Sequence, residues 1–359
     1  WNTKLDFTYL PNQKHNIKFG AQYIYHNFMP ASISGSSGDV DFSPETVFKQ
    51  YSNEAALYFA DDYELTDVLK INFGGRYTAF THAGDITFIQ MMKNEFIQDD
   101  ENQYRNFEPR VSARYKLNYT SSVKASYSKN YQYIHLASIG GMSMPTDLWL
   151  PSSEKLKPTK GTQYTLGYFK NLNNNMFETS VEAYYKDMKN LIEYKEGSLP
   201  EDNANGRQDD ALTLGNGNSY GVELFIKKAL GKTTGWIGYT HSYTNRIFSE
   251  INNGIEFPAK YDRRHDLSVV INHDFSKHWT ASAVFVYATG SAITIPTERY
   301  IIDGNIYTQF SGKNEFRMEP YHRADVSFNY TRRPDKKYHS TWNFSVYNVY
   351  NRKNPYFIY

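Results

Sequence analysis

Charged side chains in this sequence recur at every second position, with apolar or aromatic residues between them. In "FETSVEAYYKDMKNLIEY" (177–194), Glu178, Ser180, Glu182, Tyr184 and Lys186 alternate with Phe177, Thr179, Val181, Ala183 and Tyr185. Between 107 and 117, Glu108, Arg110, Ser112, Arg114 and Lys116 alternate with Phe107, Val111, Ala113, Tyr115 and Leu117. Glu223 and Lys227 alternate in the same way with Val222, Leu224 and Ile226, and Arg323 and Asp325 with Ala324 and Val326. Successive side chains of an extended chain point to opposite faces, so each stretch has one ionic and one apolar face. The ionic set holds Glu54, Asp62, Glu108, Glu178, Glu182, Glu223 and Asp325 against Arg76, Arg110, Arg114, Lys124, Lys227 and Arg323. A wall lined by both signs suits two kinds of chemistry. It can solvate a water-filled lumen, or it can hold an inserted protein element by salt bridges and hydrogen bonds.

Other chemistry finds no support in the residues. The sequence contains no GxSxG, HExxH, GxGxxG or P-loop pattern, so no enzyme and no cofactor is expected. Its ten His are scattered without ligand spacing, and Cys is absent, which excludes a disulfide framework and thiolate metal sites. The loop "EDNANGRQDDALTLGNGNSY" (201–220) has the hard oxygen donors that a calcium ion takes, but not the spacing of a calcium loop. It reads as a solvated loop, and no metal is expected. A net charge of +1 implies no nucleic-acid partner. Two further loops expose Met91, Met92, Phe96, Leu148 and Trp149. These are candidates for ligand contact or for contact with a surface lipoprotein, against the plainer reading of loop-on-loop packing.

The elements that position the ionic residues are strands. Period-two alternation runs the length of the 359 residues and predicts about fourteen of them. They fall near 1–10, 16–28, 53–64, 69–82, 105–117, 121–135, 161–171, 176–193, 217–229, 233–248, 262–275, 278–293, 320–332 and 338–350. Many exceed the five to six residues usual in soluble sheets and reach the roughly nine to eleven that cross a bilayer. Short connections such as "TDV", "NYT" and "SKH" alternate with long ones near 29–52, 83–104, 136–160, 194–216, 249–261 and 294–319. Tyr and Phe, 32 and 23 of them, supply what interfacial girdles need. No apolar run is long enough for a membrane helix. The pattern therefore predicts an all-β, antiparallel up-and-down transmembrane barrel, with residues 1–359 a single barrel segment in the lipid bilayer. A basic side chain facing lipid at mid-depth costs about 2–4 kcal/mol, so the ionic face is expected to look inward. Val181, Leu224, Val111 and Ala113 are expected to look toward lipid.

Several stretches resemble the barrel of TonB-dependent outer-membrane receptors of the Bacteroidota type. They are "EAALYFADDYELTDVLKINFGGRYTAF" (54–80), "FEPRVSARYKLNYTSSVKASYSKNYQYIHLAS" (107–138), "PTDLWLPSSEKLKPTKGTQYTLGYFKNL" (145–172), "VEAYYKDMKNLIEYKEG" (181–197), "YGVELFIKK" (220–228), "YDRRHDLSVVINHDF" (261–275) and "NVYNRKNPY" (348–356). The resemblance implies a 22-stranded barrel in the cell outer membrane, an N-terminal plug domain inside it, and energy from the TonB complex acting through the N-terminus. The sequence holds neither plug nor TonB box, and it opens on "WNTKLDFTYL" already in strand pattern. Early strands and a last strand are expected outside it. If the full count is 22, these are strands 8 to 21.

The function that the resemblance implies is active uptake of a bulky, scarce nutrient: a siderophore, haem, cobalamin, glycan or peptide. The thirteen ionic residues would then face the lumen and its plug, and the long loops would lie outside, toward lipopolysaccharide and ligand. A passive porin, or an outer-membrane enzyme or adhesin, are the alternatives.

Overall fold

The computed structural model describes residues 1–28, 35–37, 40–42, 50–83, 103–138, 148–196, 198, 208–303 and 305–355. Fourteen strands follow one another, each hydrogen-bonded antiparallel to the next, in a single meander. They are β1 (Asn2–Asn12), β2 (His15–Phe28), β3 (Gln50–Glu64), β4 (Leu69–Ala83), β5 (Gln103–Asn118), β6 (Ser121–Gln132) and β7 (Thr159–Leu172). After these come β8 (Phe177–Tyr194), β9 (Leu212–Lys228), β10 (Thr233–Phe248), β11 (His265–Asp274), β12 (Trp279–Ala288), β13 (Tyr321–Arg332) and β14 (Ser340–Val346). Every strand expected from the period of two is present, and no α-helix occurs among the described residues.

The two kinds of connection differ in chemistry. Those at one end hold two to seven residues and are built by local side-chain capping. Asn12 Oδ1 accepts from Lys14 N at 2.9 Å, and Asn118 Oδ1 accepts from Thr120 N at 2.9 Å, so one short side chain closes each two-residue turn. The β7–β8 turn puts Asn173, Asn174 and Asn175 at φ 49°, 52° and 64°, the left-handed region that Asn tolerates. At the other end the connections run from 16 residues (249–264) to 32 (289–320).

The long connections carry structure that period-two counting did not separate from loop. Ile134–Ala137 pairs with Leu148–Pro151, Pro296–Ile302 with Asn305–Phe310, and Phe257–Pro258 joins the edge of β10. β9 begins at Leu212, five residues before the expected 217, because β8 continues past a bulge at Asn190 (φ 56°) and pairs Leu191–Tyr194 with Leu212–Gly215. Apolar packing stabilises that extension. Tyr194 and Leu212 are buried with Leu148, Leu150, Leu156 and Ala137, and Ile192 and Leu214 lean on them. A second cluster joins Leu191, Phe248, Ile251 and Phe257. β12 conversely stops at Ala288, five residues short of the expected 293. The chain turns in at Gly290, where a Cβ would lie 1.9 Å from the Met318 carbonyl.

Register propagates one face across the whole sheet. Leu57, Phe59, Tyr77, Phe107, Val111, Leu166, Val181, Leu224, Ile237, Ile271 and Phe328 are all at least 39 % exposed and share the apolar face. The opposite face is the more enclosed of the two. In β8, Val181, Ala183 and Tyr185 are exposed while Ser180, Glu182, Tyr184 and Lys186 are half-buried.

Candidate functional site: the ionic wall

Cross-strand register brings all thirteen ionic residues expected from the sequence onto the enclosed face. Glu54 and Asp62 lie on β3, and Arg76 on β4 lies opposite Tyr58 of that same face. Glu108 lies opposite Arg76, and Arg114 opposite Lys124. Lys124 is opposite Gly167, Gly167 opposite Glu182, and Glu182 opposite Glu223. Glu178 is opposite Lys227. The same parity runs through Thr240, Asp266 and Ala288 to Tyr321, and so to Arg323 and Asp325. On the apolar face the same register places Val111, Ala113, Val181 and Leu224.

Most of these ions are satisfied within the wall. Arg76 reaches Glu54 at 3.2 Å, Gln22 Oε1 at 3.0 Å and Thr78 Oγ1 at 3.2 Å, spending its planar fork on three acceptors. Glu54 also has His26 at 3.7 Å. Arg110 meets Glu108 at 3.5 Å and Asn130 at 3.0 Å. Lys227 meets Glu178 at 3.0 Å, and Asn72 donates to Asp62 at 2.7 Å. Arg323 meets Asp325 at 2.9 Å and the hydroxyls of Tyr321 and Tyr347.

Four are not. Among the described residues, Arg114, Lys124, Glu182 and Glu223 have no counter-ion within 4 Å, and Lys124 only lies 5.2 Å over the Phe169 ring. Register makes the imbalance sharper. The two cations stand directly opposite each other, the two carboxylates do the same, and Gly167 separates the pairs. Like charges directly opposite on a sheet destabilise it by about 0.2–1 kcal/mol. A Cβ at 167 would come within 2.9 Å of Glu182 Cγ and of Phe169 Cε2, so any larger residue there displaces those side chains. The wall thus holds a bare cationic pair beside a bare anionic pair, ready for a partner with charges in the reverse order.

The loop candidates divide. Met91, Met92 and Phe96 lie outside the described residues. Leu148 is buried in the apolar cluster between connections, whereas Trp149 beside it is 54 % exposed. Of the acidic loop, residues 201–207 lie outside the described residues, while Ser153 donates to Asp209 at 2.9 Å and Lys155 pairs with Asp210. No group of three or more His, Asp or Glu among the described residues is placed to hold a metal.

Sequence reasoning missed three constellations. Asp262 is fully buried, bonded by Arg264 at 2.8 Å, by Arg317 and by Thr244 N at 2.7 Å, and it ties two connections to β10. Its signal was present in "YDRRHD", where adjacent opposite charges precede a strand. Glu193 similarly receives Arg246 at 3.1 Å and Lys313 at 3.8 Å. His135 bonds Ser152 at 2.9 Å, and burial pushes its imidazole down to about 4.

An antiparallel meander with one apolar and one ionic face, short turns at one end and long connections at the other, is the wall of a membrane barrel of the outer-membrane type. The chain belongs to the family described as TonB dependent receptor-like, beta-barrel, whose pattern matches residues 1–351. No curated protein matches the sequence. Among solved structures, the chain is similar to Pseudomonas aeruginosa FpvA bound to heterologous pyoverdines, with TM-score 0.64, 17% identity, and coverage of 98% of this chain and 44% of that one. It is also similar to the FrpB iron transporter of Neisseria meningitidis (TM-score 0.61, 14% identity, 98% and 51% coverage). A third is BauA, the ferric preacinetobactin receptor of Acinetobacter baumannii (TM-score 0.61, 14% identity, 98% and 49% coverage). The chain spans about half the length of these structures.

Proposed function

We propose that this chain is the lumen wall of a TonB-dependent receptor that carries a bulky nutrient across the outer membrane. Its ionic face lines the lumen and its long connections stand outside the cell. The observation that carries the reading is the pair of unmatched couples, Arg114 with Lys124 and Glu182 with Glu223. A wall meant only to solvate ions gains nothing from holding like charges opposite each other. A wall that seats a charged plug does, because the plug supplies the missing partners and the ion pairs form where water is scarce. The plug presents a cation to Glu182 and Glu223 and a carboxylate to Arg114 and Lys124. Energy comes from TonB acting on that plug, and no bond of the cargo is made or broken. The iron transporter and ferric siderophore receptors among the similar structures favour an iron-chelate cargo. Haem, cobalamin, glycan and peptide cargo fit the same wall.

The test is conductance of the full-length protein in planar bilayers. The native protein is expected to be electrically silent, and Glu182→Gln with Glu223→Gln to show intermittent openings. Nutrient uptake should require TonB in both. Steady porin-like conductance of the native protein, or uptake that survives loss of TonB, overturns the reading in favour of a passive channel.

A further inference from the structure

The ten His are scattered in sequence, but the register of β10 and β11 brings two of them together. His241 and His265 stand directly opposite each other on the apolar face, where the connection 249–264 enters β11. Their ring centres are 4.9 Å apart and their planes are tilted by 34°. Two imidazoles that share one tetrahedral metal ion, each nitrogen about 2.0–2.1 Å from it, have ring centres about 5 Å apart. The pair therefore stands at the spacing a shared ion needs. No carboxylate joins it. Asp266, next to His265 in sequence, faces the ionic side opposite Thr240, and no third His, Asp or Glu among the described residues completes a cluster.

The hydrogen bonds around the pair decide which nitrogens are left for a ligand. His241 Nδ1 lies 3.0 Å from the Arg264 carbonyl. A carbonyl only accepts, so Nδ1 carries the proton and Nε2 carries the lone pair. His265 Nδ1 lies 2.8 Å from the Tyr239 hydroxyl, which can accept its proton in the same way. Neither Nε2 enters a hydrogen bond among the described residues. Metal-ligating histidines carry this kind of second bond, which fixes the tautomer and raises the basicity of the free nitrogen. The neighbouring cation is engaged elsewhere: Arg264 bonds buried Asp262 at 2.8 Å and its guanidinium lies 4.0 Å over the Tyr243 ring. Imidazole nitrogen suits zinc, copper and nickel, whereas calcium and magnesium take oxygen.

We propose that His241 and His265 bind a divalent transition-metal ion of the zinc or copper type through their two Nε2 atoms, with water in the remaining positions. The ion bridges β10 and β11 where the connection enters the wall, beside Ser242, which bonds the Arg263 carbonyl at 3.0 Å and the Arg264 carbonyl at 3.1 Å. By binding only the paired strands, it stabilises the folded wall by mass action. The site lies on the face away from the ionic wall. It rests on cross-strand geometry alone and stands or falls independently of the transport reading.

The experiment titrates the full-length protein, without a histidine tag, with zinc chloride in detergent and follows the heat. The native protein is expected to bind one equivalent more than the double variant His241→Gln, His265→Gln. Either single substitution should weaken that equivalent by at least about a hundredfold, and Tyr239→Phe, which removes only the outer hydrogen bond, by about tenfold. His322→Gln, on the same face and bonded to Tyr350 at 2.8 Å, should leave it unchanged. Zinc should raise the melting temperature of the native protein and not that of the double variant. A second measurement needs no variant: with one equivalent of copper(II) on the native protein, electron spin-echo modulation should show two bound imidazoles. Equal zinc uptake by the native protein and the double variant, a copper signal with one imidazole or none, or equally effective competition by calcium overturns the site.

Discussion

Arg76 shows how much a single ion of the wall can carry. Its guanidinium serves Glu54, Gln22 and Thr78 from a position only 20 % exposed, against a Glu54 side chain 16 % exposed. Arg76→Ala leaves a half-buried carboxylate with only His26 and should cost about 2 kcal/mol. Arg76→Lys should lose about half as much, because one ammonium cannot serve three acceptors. Chemical denaturation of the full-length protein in detergent measures both. Gly167→Ala should leave the strand intact but displace Glu182, and so reproduce in weaker form the openings expected of Glu182→Gln in the conductance assay. The faces of the thirteen ions were legible because a period of two leaves no other choice once register is fixed. Asp61 was not. With Asp62 assigned inward, alternation places its neighbour on the apolar face. There Asp61 is 3 % exposed and bonds His15 Nδ1 at 2.6 Å, while His15 stacks on Tyr63 at 4.2 Å. A rule that sends charge inward has no term for a carboxylate hydrogen-bonded to a histidine beside the short turns.

Strands and turns differ in how much of them the sequence shows. The wall strands announce themselves by alternation, and the tight turns by Asn and Gly. The long connections have no period, so the pairing of Ile134–Ala137 with Leu148–Pro151 and the early start of β9 at Leu212 emerge only from tertiary packing. That packing can be loosened at two points. Leu150, 2 % exposed within the cluster, should cost about 2–4 kcal/mol locally when replaced by Ala, seen as faster protease cleavage within 133–158. His135 makes the same packing sensitive to acid. Its imidazole titrates near 4 in the folded chain and near 6.5 when the loop opens, so the open form binds more protons between those values. Stability of the packed loop is therefore full above pH 6.5 and declines as pH falls toward 4. Cleavage should be faster at pH 5 than at pH 7.5, and His135→Gln should remove most of that difference. An equal rate at both pH values in the native protein would show that His135 is not held neutral by burial.

At the scale of the whole molecule, the account rests on which way the two faces look. Fourteen strands carry ionic side chains on one face, nine of the thirteen expected ones partnered, and apolar side chains on the other; the proposed function sets lipid against the apolar face and a plug-filled lumen against the ionic one. Because Cys is absent from these 359 residues, single cysteines can be introduced here once any cysteine elsewhere in the full-length protein is replaced. The decisive measurement places one at each position from 178 to 185 on β8 of the full-length protein, attaches an environment-sensitive fluorophore, and reconstitutes each variant into bilayers containing a nitroxide- or bromine-labelled lipid. Quenching should alternate, strong at 179, 181, 183 and 185 and weak at 178, 180, 182 and 184. Strong quenching at 178 and 182 with weak quenching at 181 and 183, or uniform quenching along the strand, would contradict the account.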